Sequence, residues 1–258
     1  MKKLAIIFLL LTMLTAFVVA EDLIGLELGA ELGMDNVTGA NGGDAAFTFT
    51  PWVQYMNSFD ALDIYARAKW WFTFDDPMYQ SPEFEIEGAY NIDAGPGILS
   101  IVLWNETAMK ICDGESTYGG YLEPSVKYAL SGDFGTVFFQ PGFGIFYDKD
   151  VDAQYDIAFK VGYSNPIGFG IDFKAFYNVS GGAEEMREYR LLPYYENGPL
   201  YFEVDIRTDG EFDVINMWPY VSYAVTDRIT VWTWVGFEGI GGDGDVVVTP
   251  IIGASYKF

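Results

Sequence analysis

The sequence predicts an all-β fold, a transmembrane antiparallel up-and-down β-barrel of about 14 strands, with twelve strands as the alternative. Three observations predict it. The chain opens with an export signal, most of the remainder alternates between apolar and polar residues with a period of two, and several apolar faces are long enough to cross a bilayer. After residue 20, no apolar run is long enough for a membrane-spanning helix.

Composition narrows the function classes. The chain has 258 residues with 14 Lys and Arg, 37 Asp and Glu, a formal charge of −23, 50% hydrophobic residues and no His. Such hydrophobicity is typical of a folded chain, and the negative charge argues against a nucleic-acid partner, which needs Lys and Arg to neutralise phosphates. Without His and with Cys112 as the single Cys, Ser-His-Asp catalysis and a Cys-rich zinc site are excluded. We therefore expect no enzyme, no cofactor and no metal.

Residues 1–20 predict a signal peptide. Lys2 and Lys3 precede an apolar run that ends at Val19, and the small residue Ala20 follows. A basic start, an apolar centre and small residues at the end are typical of a cleavable secretory signal. An uncleaved anchor is the alternative, but the run falls short of the ~20 residues that span a bilayer. The predicted domains are a signal peptide over 1–20 and a barrel over 21–258.

Two-sided alternation marks the clearest strands. In segment 23–34, Leu26 and Leu28 share one face while Glu27 and Glu31 share the other. Successive strand side chains point to opposite faces, so this pattern predicts a strand with one apolar and one polar side. The same pattern recurs in segments 61–74, 83–92, 151–163, 167–179, 200–207 and 246–258.

Weaker alternation predicts seven more strands. These segments are 45–57, 97–106, 117–129, 134–147, 185–196, 212–225 and 228–240. Segment 97–106 is apolar on both faces and segment 185–196 alternates poorly. A barrel of twelve strands is therefore the alternative. Pro51, Pro124 and Pro219 each begin a Pro-x-Val-x-Tyr sequence, and Pro193 and Pro250 begin looser versions. A proline cannot donate to the strand ladder, so we expect β-bulges near these positions.

Connections alternate between tight turns and longer loops. Turn residues cluster at Asn57-Ser58, 94–97, 131–133, 164–166, 196–199 and Thr226-Asp227. The longer pieces, rich in Gly and Asp, include 35–44, 75–81 and 107–116. Short turns on one rim and longer loops on the other are typical of a membrane barrel, with the turns on the periplasmic side.

Alternation alone does not say what the apolar face meets. A soluble β-sandwich would bury it between two sheets, whereas a membrane barrel would turn it to lipid. Apolar faces of five to seven residues favour the barrel, because they match the ~9 to 11 residues of a membrane strand. Aromatic residues near strand ends also favour it, as in interfacial girdles. They are Tyr55, Trp70, Tyr128, Tyr163, Tyr223 and Tyr256.

The sequence ends with the alternating segment Ala254-Ser255-Tyr256-Lys257-Phe258, whose last residue is aromatic. Together with the export signal and the two-faced strands, it resembles bacterial outer-membrane β-barrel proteins of the porin-like kind. The resemblance implies a place in the bacterial outer membrane and contact with its lipid. It also implies that Tyr256 and Phe258 form the terminal signal that the barrel-assembly machinery reads.

On the barrel interpretation, the polar face lines a lumen. Its predicted acidic residues are Glu27, Glu31, Asp63, Glu83, Glu85, Glu87, Glu123, Asp152, Asp156, Asp172, Glu203 and Asp205. Its predicted basic residues are Arg67, Lys69, Lys127, Lys160, Lys174 and Arg207. Acids outnumber bases two to one, and rings of Asp and Glu select for cations. The sequence therefore predicts a channel for ions and small polar or cationic solutes.

Several alternatives to this channel remain. Large aromatic residues fall on the same face and could narrow the bore: Trp71, Phe138, Phe146, Phe176, Trp218, Trp232 and Trp234. A sealed structural barrel, or an adhesin acting through its loops, is the competing class. Glu83, Glu85 and Glu87 are either a selectivity element or a solvated face. A symmetric hairpin across 75–81 would place Lys69 opposite Glu87.

Overall fold

A computed structural model describes residues 25–74, 79–112, 115–149, 151–180 and 185–258. The predicted signal peptide lies outside these residues. Among the described residues, no helix is long and apolar enough to span a bilayer.

Fourteen strands and one short 3-10 turn, Ala40–Gly42, make up the described chain. The strands are β1 (Leu26–Asp35), β2 (Ala46–Phe59), β3 (Leu62–Phe74), β4 (Tyr79–Ala94), β5 (Gly97–Cys112), β6 (Glu115–Gly132), β7 (Gly135–Asp148), β8 (Val151–Ser164), β9 (Phe169–Asn178), β10 (Glu185–Asn197), β11 (Leu200–Asp209), β12 (Ile215–Ala224), β13 (Ile229–Ile240) and β14 (Val247–Lys257).

Each strand pairs antiparallel with its neighbours in sequence, and the first strand pairs with the last. The seam between β1 and β14 runs from the pair Glu27 and Lys257 to the pair Gly33 and Ile251. The sheet is therefore a closed barrel without a free edge. The predicted barrel of fourteen strands is confirmed, and both the twelve-strand alternative and the two-layer sandwich are wrong.

Several strands continue into predicted loops. Tyr79 already pairs with Thr73, and Cys112 pairs with Glu115, so the loops predicted over 75–81 and 107–116 are shorter than expected. The first tight turn lies at residues 60 and 61, not at Asn57-Ser58, because Phe59 still pairs with Leu62. Backbone pairing extends these hairpins beyond the point where side-chain alternation weakens.

The predicted bulges at prolines are wrong for Pro51, Pro124 and Pro193. The register between neighbouring strands is the same before and after each of these prolines. Backbone pairing with one of the two neighbouring strands is interrupted at the proline. Because proline lacks a backbone N–H, it removes one hydrogen bond between the strands but inserts no extra residue. Register shifts occur instead between Phe146 and Asp148, between Met186 and Glu188, and between Ile215 and Met217, the last lying shortly before Pro219.

Contacts between strands that are not neighbours identify the interior face. The Trp71 ring on β3 lies 6.4 Å from the Trp234 ring on β13, although three strands separate them along the wall. Lys174 on β9 lies 2.7 Å from Glu123 on β6. Only side chains on the concave face of a closed sheet converge in this way, because those on the convex face diverge.

The opposite face of each strand is apolar and exposed. Ile86, Ile101 and Ile157 expose between 52% and 56% of their surface. Of the predicted girdle residues, five lie near the strand ends at the rim with the tight turns: Tyr55, Tyr128, Tyr163, Tyr223 and Tyr256. Trp70 lies towards the opposite rim, near the end of β3. An exposed apolar surface with aromatic residues at its margins is typical of a barrel embedded in lipid.

Candidate functional site: the barrel lumen

The strand registers place the predicted lumen residues on the interior face. Arg67 pairs with Glu85, Lys69 with Glu83, and Lys174 with Arg190. The same alternation along the strands places the remaining members on this face: Glu27, Glu31, Asp63, Glu87, Glu123, Lys127, Asp152, Asp156, Lys160, Asp172, Glu203, Asp205 and Arg207.

One ion-pair cluster lies between β3 and β4. Arg67 bonds Glu85, and the Lys69 ammonium lies 3.1 Å from Glu83 and 3.5 Å from Glu85. Glu87 pairs instead with Tyr65, so the predicted pairing of Lys69 with Glu87 is wrong. The reason is the shorter loop, which shifts the hairpin register by four residues. Glu83 and Glu85 therefore neutralise basic groups, whereas Glu87 is exposed to the bore.

A second set of ion pairs fills the side of the lumen formed by β6 to β11. Lys174 bonds Glu123 at 2.7 Å, and Arg187 lies 2.5 Å from Asp156, which is almost completely buried. Further pairs join Lys160 to Asp172, Arg190 to Glu188 and Arg207 to Asp205. Phe176 is 2% exposed beneath Lys174, 4.6 Å from its ammonium. This wall is closely packed.

Most interior bases have an acidic partner, whereas several interior acids have no basic one. Within the described ranges, no basic side chain forms an ion pair with Glu27, Glu31, Glu87, Glu106 or Glu203. Two of them accept neutral hydrogen bonds. Trp232 Nε1 donates to Glu31 at 3.0 Å, and the Tyr201 hydroxyl donates to Glu203 at 2.5 Å.

Two cavities differ in size and lining. The smaller, about 250 Å³, lies at the packed wall, with Trp104, Glu106, Tyr121 and Arg187 among its lining residues. The larger, about 550 Å³, lies against β1 to β3 and β11 to β14. Its aromatic lining is Trp52, Trp71, Trp218, Tyr220, Trp232 and Trp234, its acidic lining is Glu27, Glu31, Glu203 and Asp205, and its basic lining is Arg67, Lys69 and Arg207. The larger of these two cavities thus lies on the opposite side of the lumen from the packed wall.

Sequence reasoning missed several interior residues. Glu106 continues the alternation of Ser100, Val102 and Trp104, but it lies at the end of a segment that was apolar on both faces. Arg187 lies within the register shift between Met186 and Glu188 in β10, where strict alternation fails. Alternation within segment 97–106 was sufficient to place Glu106 on the same face as Trp104. No period-two pattern could have placed both Arg187 and Glu188 on the interior face.

No family model and no curated protein matches this sequence. Among solved structures, the outer membrane protein Omp33 of Acinetobacter baumannii is similar, with a TM-score of 0.51 and 12% identity over 91% of this chain and 98% of that one. A triple mutant of the Rhodopseudomonas blastica porin gives a TM-score of 0.46 and 10% identity over 90% of this chain and 99% of that one. The likeness to Omp33, together with the closed barrel of fourteen strands, shows an outer-membrane β-barrel fold and confirms the predicted resemblance for the fold.

Proposed function

We propose that this protein is an outer-membrane channel that passes ions and small polar solutes and prefers cations. The barrel closes completely, its outer face is apolar, and its interior is charged and contains open cavities. A charged interior within an apolar shell is suited to conduct polar solutes across lipid.

The unpaired carboxylates carry the proposed cation preference. Ion pairs cancel most of the interior positive charge locally, as Arg67 with Glu85 and Lys174 with Glu123 show. Glu31, Glu87 and Glu106 have no such partner among the described residues, so their charge acts on solutes in the bore. The negative field attracts cations and repels anions, and it is screened as ionic strength rises.

Ion selectivity tests this proposal. The refolded protein, in a planar bilayer with a KCl gradient, should give a reversal potential that favours K⁺ over Cl⁻. Replacing Glu31, Glu87 and Glu106 together by Gln should move that potential towards zero, whereas Asp133→Asn in a tight turn should not. Absence of conductance would favour a sealed structural barrel or an adhesin, and anion preference would contradict the charge argument.

We also propose that the C-terminal residues form the assembly signal in the cell. Phe258 donates its backbone N–H to Leu26 at 3.0 Å, and its ring lies 5.0 Å from the Tyr256 ring. Tyr256 therefore lies in β14, the strand that closes the barrel against β1, and Phe258 follows its last residue, Lys257. Replacing Phe258 by Ala should reduce the amount of barrel in the outer membrane of cells while leaving refolding of purified protein in detergent unchanged.

A further inference from the structure

The larger cavity combines two features that recognise the same kind of ligand. Four tryptophans line it without a cation over their rings in the described structure: Trp52, Trp71, Trp232 and Trp234. Three carboxylates that lack an ion-pair partner line it as well: Glu27, Glu31 and Glu203. The basic residues of the lining, Arg67, Lys69 and Arg207, are each ion-paired with a carboxylate, so the unpaired carboxylates leave a negative surplus. Indole faces attract cations, and carboxylates add Coulomb attraction.

Glycines hold two of these rings against the barrel wall. Gly29 on β1 pairs with Trp52, and Gly253 on β14 pairs with Trp232. A Cβ atom at either glycine would overlap the indole ring. Each ring therefore lies over a glycine, and the two ring centroids approach to 5.9 Å across the β1–β14 seam. Rings held in this way form a fixed aromatic surface facing the lumen.

The face of a neighbouring ring, that of Trp218, is already covered by the cationic side chain of Arg207. The Arg207 guanidinium carbon lies 4.8 Å from the centre of the Trp218 ring, in the same cavity. Arg207 is also bonded to Asp205, so this ring and this carboxylate serve one internal cation together. Trp71 and Trp234 lie 6.4 Å apart in an edge-to-face arrangement and have no equivalent internal cation in the described chain.

We propose that this cavity is a binding subsite for organic cations that carry an ammonium group within apolar surface, such as quaternary ammonium ions. The inference rests on the proposed channel function, because a permeating solute would reach the cavity through the bore. Alkylated ammonium groups are weakly hydrated compared with K⁺, so they exchange water for indole faces at lower cost. The cavity of about 550 Å³ is within the roughly 300–1,000 Å³ range of small-molecule sites.

Choline and its neutral carbon isostere, the alcohol in which carbon replaces the nitrogen, provide the probe pair. Calorimetric titration of the refolded barrel in detergent should show binding of choline and at least tenfold weaker binding of the alcohol. In a bilayer, choline should interrupt the K⁺ current. Equal binding of the two probes, or no choline binding, would overturn the inference, since either result excludes recognition of the positive charge.

Paired variants locate the site. Trp71→Phe with Trp234→Phe should weaken choline binding by about three- to tenfold, because phenyl is a poorer cation partner than indole. Glu31→Gln with Glu203→Gln should weaken it similarly. Trp104→Phe is the matched control, since this tryptophan lines the other cavity, and it should leave choline binding unchanged. Equal losses in all three variants would overturn the assignment to this cavity.

The two proposals fail separately. Choline binding in detergent without conductance in a bilayer would contradict the channel and leave the subsite standing. Cation-selective conductance without choline binding would contradict the subsite and leave the channel standing. Refolding of each variant is checked by its change in gel mobility on boiling, so a variant that does not fold is replaced by the corresponding single substitution.

Discussion

Two glycines determine where the seam tryptophans lie. Gly29 and Gly253 face the lumen and pair directly with Trp52 and Trp232, respectively, and neither leaves room for a Cβ beneath the indole ring opposite. Trp232 on β13 is consequently 9% exposed and donates a hydrogen bond to Glu31 on β1, which lies two strands away across the seam. The last strands of the barrel are thus tied to the first by side chains as well as by backbone pairing.

Replacing Gly253 by Val should destabilise the barrel by about 1–3 kcal/mol, because the new side chain overpacks the Trp232 ring. Gly88→Val is the matched control. Gly88 lies on the apolar outer face of β4, and a Cβ there meets no atom within 4 Å. Urea unfolding in detergent compares the two midpoints. An equal shift in both variants would show that the cost comes from losing glycine and not from the tryptophan.

Opposite faces of one strand meet different environments. In β4, Ile86 is 56% exposed on the outside of the barrel, and the next residue, Glu87, faces the lumen. Both lie near the middle of the strand Tyr79–Ala94. An apolar outer face of this kind requires lipid or detergent, because water would otherwise contact it along the whole strand.

Ile86→Lys should therefore lower the stability of the barrel in lipid by about 2–4 kcal/mol, the usual cost of a charge at the bilayer midplane. Glu87→Lys, one residue further, should fold with nearly unchanged stability and shift ion preference towards anions. Unfolding in lipid vesicles measures the first effect, and reversal potentials measure the second. Similar stability of the two variants would contradict the assignment of faces.

The balance of charge in the lumen is a property of the whole barrel. Ion pairs such as Arg67 with Glu85 hold opposite charges in fixed positions, and the unpaired carboxylates leave a surplus on the acidic side. That balance depends on pH. Ordinary Asp and Glu side chains titrate near pH 3.9 and 4.3, whereas Lys and Arg stay charged throughout this range.

Lowering the pH from 7 to about 3 should weaken the proposed cation preference, because acid protonates carboxylates while Lys and Arg keep their charge. The reversal potential in a KCl gradient, recorded at successive pH values on one bilayer, measures this change. Restoring pH 7 should restore the original potential if the barrel has stayed folded. A potential that does not vary with pH would contradict control of selectivity by carboxylates.

Much of the architecture could be predicted from local pattern. Period-two alternation located all fourteen strands, including β5 and β10, whose signals were weak. It failed at hairpin ends, where backbone pairing continues after alternation stops, as between Cys112 and Glu115. It also failed at the register shift between Met186 and Glu188, because an inserted residue changes the face of every side chain that follows it.

The faces of the strands follow from the amino-acid sequence, since in a regular strand the face depends only on whether a residue's number is odd or even. Alternation therefore predicts that Arg67, Lys69 and Glu85 face the lumen. The partners of lumen side chains follow from the three-dimensional fold instead: Glu83 for Lys69, Asp156 for Arg187, and Glu31 for Trp232. Pairing between strands depends on register and closure, which are set by backbone hydrogen bonds between distant segments and leave no periodic trace in the chain.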